Sequence, residues 1–587
     1  MKAMVIAICS IAAAVVFALP GRSFAQVPDT VVVYANPGGE TIERQIMGDT
    51  TATGQRVNPN RVYLLQQTGS LDTVYYYDDP ITTLEKYNIT IIGKRNPVTG
   101  MPPLIQPDIR PNNSSPGDLI VSNKSGVNIT LKNLYILGER VDSVQATTNL
   151  LQINGDTNSV TIDHCVIDNI SGNVANFANC SWENLKITNT ELRDASNQFW
   201  RSGGWMWANF GVPMDSVIIQ NTTWFCNGRQ VMGGPGIYNY LLIDHNTFFI
   251  SIDAPMLSTH LTNATITNNI WYGMNAHGAD SSYVATGQTN NAKEPYSLIM
   301  LDSLGSVGST YGVSESQRRI TVENNAYFWP QQLLSFWTAV NDTAKGWYIS
   351  EPEWMNSQTF YMFSDHSAWP NLVSQNNDST DPGFAASLVN PAIDSTIEFV
   401  KLIGWNTPTS RFGNTGAFRF WQLRSNPDPS YIFTWVPSTW TGWTSGYPVP
   451  ENLAYSNVAL QTAGKGNFAV GDLNWYPSQL KLWEAGDTVN AIQATGPQVP
   501  TNFTLSQNYP NPFNPTTDIA YSVPKTGIVT LAIFNILGEK VATLFSGVRQ
   551  PGNYLATFNG SKFASGMYFY RLQSSNLSIT KKLMLIK

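Results

Sequence analysis

Between residues 129 and 328 the chain returns repeatedly to one order of apolar and polar positions. The stretches are "ITLKNLYIL" (129–137), "VTIDHCVID" (160–168), "LKITNTELR" (185–193), "VIIQNTTWF" (217–225), "LLIDHNTFF" (241–249), "ATITNNIWY" (264–272) and "ITVENNAYF" (320–328). Each puts an apolar residue two before a polar pivot, and usually another four before. The pivots are Asn133, His164, Asn189, Asn221, His245, Asn268 and Asn324, separated by 31, 25, 32, 24, 23 and 56 residues. Period-2 alternation marks short strands with one buried face. Its recurrence every 23 to 25 residues, with some coils lengthened, predicts an all-β fold built on a parallel β-helix.

The alternation assigns Leu241 and Ile243 to the inside of the coil and Leu242 and Asp244 to the outside. The pivot is then expected inward at a bend. An asparagine suits that place because it tolerates left-handed backbone. Its amide can also bond the equivalent amide one coil above and below, as a structural ladder. On this reading His164 and His245 replace ladder asparagines, and the Asp-His pairs are architecture.

Outward positions give a map of the surface. The residues just before the pivots run Asp163, Thr188, Gln220, Asp244, Thr267 and Glu323. Their carboxylates fall on non-adjacent coils and make no calcium cage, which needs several converging oxygens. No metal site is predicted. After the pivots come two adjacent aromatic columns, Trp224, Phe248 and Trp271 beside Phe225, Phe249 and Tyr272. Adjacent residues of a strand face opposite ways. One row therefore looks out, to be covered by other chain or to serve as a stacking platform for a ligand. Asp168 and Arg193, on successive coils, are expected to form a simple ion pair, worth little if exposed.

Two long interruptions are candidate walls of a cleft. One is 275–297; the other, 193–211, carries Trp200, Trp205 and Trp207 beside Arg193 and Arg201. Residues 331–490 lose the repeat and hold eleven of the eighteen tryptophans. A solenoid end exposes unpaired strand edges, so this segment is expected to cap the stack or lie along it.

Composition narrows the partners. The opening 1–25 has a lysine, an apolar run and a small-residue end, as in a secretory signal peptide with cleavage after Ala25. Losing Lys2 and Arg22 takes the formal charge from -7 to -9, and only 13% of residues are charged. Nucleic acid and anionic membrane both demand clustered Lys and Arg, and neither is expected. Nor is a transmembrane segment, since no later run is long and apolar enough. Cys165, Cys180 and Cys226 remain after cleavage, allowing at most one internal disulfide.

Past a polar linker at 491–502 the texture changes. "NYPNPFNPTTDIAYSVP" opens with prolines that cannot donate to a sheet ladder. Closely spaced strands follow, with Gly538 in "NILGEKV" marking a hairpin and "GMYFYRLQS" and "KKLMLIK" closing the chain. The spacing predicts a small β-sandwich over 503–587. These motifs resemble the type A C-terminal sorting domain of the type IX secretion system. The resemblance implies an Ig-like export signal that engages that machinery, a Gram-negative cell of the Bacteroidota and relatives, and a secreted or surface destination. The remainder, with a β-helix expected over 26–330, resembles the right-handed parallel β-helix proteins of the pectate-lyase-like superfamily in its coil pattern. "VTIDHCVID" is similar to the Ile-Asp-His stretch of family 1 pectate lyases. However, "IDHNTFF" is followed by "ISIDAPMLSTH", which lacks the arginine of their catalytic motif, and the polygalacturonase set is absent.

Three functions stay open. The first is polysaccharide binding through aromatic stacking on Trp200, Trp205, Trp207, Phe225, Phe249 and Tyr272 and an Asn/Thr-rich flank. The second is polysaccharide processing, as a hydrolase or as a lyase of uronates. A lyase needs a base beside the acidic sugar proton and a cation on the carboxylate. Candidates are Arg193, Arg201 and Arg229 as base, with Asp168 and Glu191 as cation ligands. Calcium is implied only in that case, and no other cofactor is expected. The third is a structural or adhesive role in the envelope.

Overall fold

A computed structural model describes residues 30–400, 451–487 and 503–586, apart from 36–39, 51–56, 59, 67–72, 84–87, 98, 143–148, 196–203, 210, 229–231, 234–236, 252–259, 277–278, 281–296, 341–348, 351–352 and a few one- or two-residue gaps after 505. The expected signal peptide and the 491–502 linker lie outside the described residues, as does most of the 275–297 insertion.

The strands that end just before the pivots pair with one another in parallel. They belong to an eleven-stranded sheet, the first sheet. One coil runs through Ser159–Asp163 in this sheet, Val166–Asp168 in a nine-stranded second sheet and Asn173–Phe177 in a six-stranded third sheet. The chain then returns to the first sheet at Glu183–Thr188. Three short strands per coil, stacked in parallel register, make a parallel β-helix. The core follows the alternation: Ile162, Ile187, Ile219, Ile243 and Ile266 meet Ile167, Leu192, Trp224, Phe248 and Trp271 inside the coil.

All seven pivots have left-handed backbone, with φ between 47° and 57°. Their N–H groups stack too: His164 donates to the Thr188 carbonyl, Asn221 to that of Asp244, and His245 to that of Thr267. The expected inward direction is corrected. The residue after each pivot turns in, so the buried amide ladder runs one column over. Asn246 Nδ2 donates to Asn269 Oδ1 and Asn269 Nδ2 to Asn325 Oδ1, each at 2.9 Å, and Asn325 Nδ2 donates to Asn377 Oδ1 at 2.8 Å. A left-handed residue reverses which side the next side chain takes, so the pivot turns outward while its successor points in.

The stack also outlasts residue 330. Leu372–Gln375 pairs with Arg319–Glu323, and Asn376 repeats the left-handed pivot with φ 54°. Elsewhere in the expected Trp-rich segment lie the helices Gln331–Val340, Ser357–Ser364 and Ala386–Val400. All three remaining cysteines are buried and free.

The C-terminal module is antiparallel. Thr504–Leu505, Thr516–Val523 and Gly552–Asn559 form one sheet. Gly527–Phe534, Lys540–Arg549, Gly566–Ser574 and Leu577–Leu585 form the other. Gly538, at φ 80°, closes the hairpin where a side chain would be strained. Ile519, Tyr521, Leu531, Ile533, Tyr570 and Leu583 are part of its separate core.

Candidate functional site

Of the two aromatic columns of the second sheet, the one through Phe225, Phe249 and Tyr272 is the outward one, while Trp224, Phe248 and Trp271 point into the core. Phe225, Phe249 and Tyr272 stack in file, with centroids 5.2 Å apart and planes within 8° and 1° of parallel. Phe384 meets Phe249 and Tyr272 edge-on at 5.4 and 5.1 Å, and Tyr455 meets Phe384 in turn. All three rings of the file are buried. The covering alternative therefore describes this row, and the assignment of Phe225, Phe249 and Tyr272 as a stacking platform is corrected. Burying such rings contributes a large apolar term together with favourable edge-to-face geometry. Trp207 is a core residue whose Nε1 donates to the Tyr238 hydroxyl at 3.2 Å, and Trp205 is buried beside it in the strand Trp205–Ala208. Trp200, Arg201 and Arg229 lie outside the described residues.

The cover combines Phe384 with the segment 451–476, both within the stretch 331–490 that is expected to cap the stack or lie along it. The Gly471 N–H donates to the Asn268 carbonyl at 2.7 Å, and the Lys465 N–H to Asn268 Oδ1 at 2.8 Å. The Asp472 N–H donates to Thr247 Oγ1 at 2.9 Å, while its carboxylate accepts from Thr223 Oγ1 at 2.7 Å. Asn474 Nδ2 reaches the Asn221 carbonyl at 2.8 Å. Gly471 is required at its place: its φ is 93°, and a Cβ there would meet Thr247 Oγ1 at 2.7 Å.

Arg193 makes the expected ion pair with Asp168, but as the centre of a larger buried ionic network, which corrects its reading as a catalytic base. Its Nη1 donates to Asp168 Oδ2 at 2.8 Å, and its Nε and Nη2 both engage the Glu451 carboxylate, the latter at 3.2 Å. Asp194 approaches at 3.3 Å, and the Tyr135 hydroxyl donates to Asp168 Oδ2 at 2.5 Å. Burial works against the guanidinium charge, but the carboxylates of Asp168, Glu451 and Asp194 outweigh it and hold the group charged. Such a cation cannot serve as a proton acceptor. Glu191 lies beside Glu451; burial, then the Glu451 charge, pushes its carboxyl well above the usual range. Asp168 is thus engaged by Arg193 and Tyr135, and Glu191 is set against Glu451. Burial likewise raises Asp472 to about 6, against opposing bonds from Asn474 and Thr223.

The open chemistry lies at a corner whose repeat pattern reads as scaffold. His164 Nδ1 is 2.8 Å from Asp163 Oδ1, and the histidine side chain is 40% exposed. Asp163 also takes Lys132 Nζ at 2.7 Å, Thr188 Oγ1 at 2.9 Å and Asn189 Nδ2 at 3.1 Å. Partial burial would raise its carboxyl, but the bonds from His164, Lys132 and Asn189 hold it well below the usual range. A fixed anion at Nδ1 sets the ring's orientation and leaves Nε2 as the outer nitrogen.

Among the described residues no three His, Cys, Asp or Glu side chains form a metal-binding group, and no helix is long and apolar enough to cross a membrane. No curated protein matches the chain. Residues 507–587 match the family described as the secretion system C-terminal sorting domain, the antiparallel module above. That match marks the chain for export by the type IX secretion system, to the cell surface or the extracellular space.

Proposed function

We propose that the exported β-helix binds extracellular polysaccharide through the polar outer faces of its first and third sheets. The observation behind this reading is where polar groups remain accessible while the aromatic row is covered. Outward Thr130, Thr161 and Lys186 stand in register along the first sheet, and Thr265 and Thr321 resume the row beyond Ile218 and Leu242, each of the five partly or fully exposed. A file of amides crosses the third. Hydroxyls and amides that both donate and accept suit the hydroxyl-rich surface of a sugar chain. Export through a signal peptide and the type IX route would bring these faces to extracellular glycans.

Processing is the second reading, favoured by the open Asp163–His164 pair. An imidazole held at Nδ1 by a carboxylate is the arrangement of a general base. In a uronate lyase His164 would take the acidic sugar proton, and calcium would enter only to neutralise the uronate. The test is to challenge the full chain with a panel of neutral and acidic polysaccharides, with calcium, following retention in affinity gels and absorbance of the unsaturated product. Retention without product supports binding. Product that His164→Asn abolishes supports processing, and silence in both readouts rejects both.

A further inference from the structure

The third sheet carries a directional chain of side-chain amides. Asn173 Nδ2 donates to Asn176 Oδ1 at 3.0 Å, and Asn176 Nδ2 to Gln152 Oε1 at 2.5 Å. Gln152 Nε2 donates to Asn154 Oδ1 at 2.8 Å, and Asn154 Nδ2 to Asn123 Oδ1 at 2.8 Å. Gln152 pairs in register with Val121 on one side and Asn176 on the other, so the chain crosses three successive coils. At ~4.8 Å per coil it extends roughly 10 Å along the stack.

Three properties set it apart from the buried ladder at Asn246, Asn269 and Asn325. The first is exposure: Asn173, Asn176, Gln152 and Asn154 are all partly open and Asn123 fully so, whereas the ladder asparagines are buried. The second is spare capacity. A carboxamide has two N–H donors and two lone pairs, and the head-to-tail bonds of the inner members use one N–H each, leaving the other for a ligand. The third is fixation. Each amide is held by its neighbour, so less rotamer entropy is lost on binding than from a free surface asparagine. Asn149 Nδ2 joins the group at Gln152 Oε1, 3.5 Å away, and also donates to Asp118 Oδ1 at 3.3 Å, which brings a carboxylate to its edge.

We infer that this amide chain is a binding site for an uncharged glycan, a specification that rests on the polysaccharide-binding reading above. Fixed amides answer sugar hydroxyls, which both donate and accept. They offer no counter-charge to a uronate or sulfate, whose desolvation would go uncompensated. Trp205, in register with Asn173 on the next strand, is buried and backs the row without offering an open ring face.

The experiment is affinity electrophoresis of the full chain in gels holding glucomannan, xylan or mixed-linkage glucan, and in parallel polygalacturonate or alginate. The variants are Gln152→Glu, which places a charge mid-chain, and Asn123→Ala at its exposed end, where little stability is at stake. Retention by a neutral glycan, weakened at least about tenfold by Gln152→Glu with an unchanged melting temperature, is expected; tenfold corresponds to about 1.4 kcal/mol of binding. If Gln152→Glu alters melting, Asn123→Ala decides on the same criterion of weakened retention. Retention that the deciding variant leaves unchanged, or retention by the acidic glycans alone, overturns the assignment while leaving polysaccharide binding standing. No retention on any glycan overturns both.

Discussion

Asp163–His164 and Asp244–His245 are the same dipeptide at the same corner of the stack, three coils apart. Their backbones agree, with φ 55° and 54° at the histidines, and so do their contacts, 2.8 and 3.0 Å from Nδ1 to the carboxylate. They differ in what lies above them. The His164 side chain is 40% exposed and that of His245 is 2% exposed. The segment carrying Asp472 has closed over the second corner, and its nearest bonds go to Thr247, Thr223 and Asn268 around it. A repeat can thus deliver identical local geometry twice and still make one copy interior and the other surface. The aromatic row follows the same logic: it faces outward by alternation and is nonetheless buried by chain from elsewhere.

Three measurements press on that contrast. The largest effect is expected where cover and coil share charge. Arg193→Ala leaves the carboxylates of Asp168, Asp194 and Glu451 without their cation, and breaking a buried pair costs about 3–5 kcal/mol. Urea unfolding should record that loss, with faster proteolysis within 451–476. A loss below about 1 kcal/mol, the scale of an exposed pair, would place this network with surface salt bridges and remove its role in holding the cover.

Next comes the dependence on pH. Asp472 is raised to about 6 in the folded chain, against ~3.9 for an unfolded aspartate. Its contribution is complete below about pH 4 and is lost as pH rises through 6, on the order of 3 kcal/mol in all. Asp163 runs the other way: its lowered pKa gives stability that is present above ~4 and is lost in acid. Unfolding free energies at pH 4 to 7.5 should fall in the native chain and fall less in Asp472→Asn. Parallel curves for the two would show that the buried corner senses no more than the open one.

The smallest effect separates the histidines directly. His164→Asn should change stability by no more than about 0.5 kcal/mol, as at other open positions, because asparagine accepts left-handed backbone readily. His245→Asn should cost about 1–2 kcal/mol through its buried partner groups. Equal urea midpoints for the two variants would break the comparison.

Much of the coil was legible. Leu241 and Ile243 point in as alternation required, and every pivot has the left-handed backbone that asparagine favours. The amide ladder was anticipated one residue early, because a left-handed corner reverses the side on which the next side chain emerges. Asn376 was missed as a pivot because it stands 52 residues beyond Asn324, past two helices. The sorting module was readable from its own motifs, since its strands are close in sequence and pair locally. Glu451 and Asp472, by contrast, have neighbours that show no repeat and no motif.

By itself the sequence determined the coil, its left-handed corners and the export module, because each is encoded in spacings of a few residues that constrain the backbone directly. Only the tertiary structure decided which outward rows are surface. Alternation says which way a side chain leaves its own strand; it says nothing of what will lie above it. Arg193 meets Glu451 across 258 residues of chain, and that meeting makes the expected Asp168–Arg193 pair part of a buried network between coil and cover.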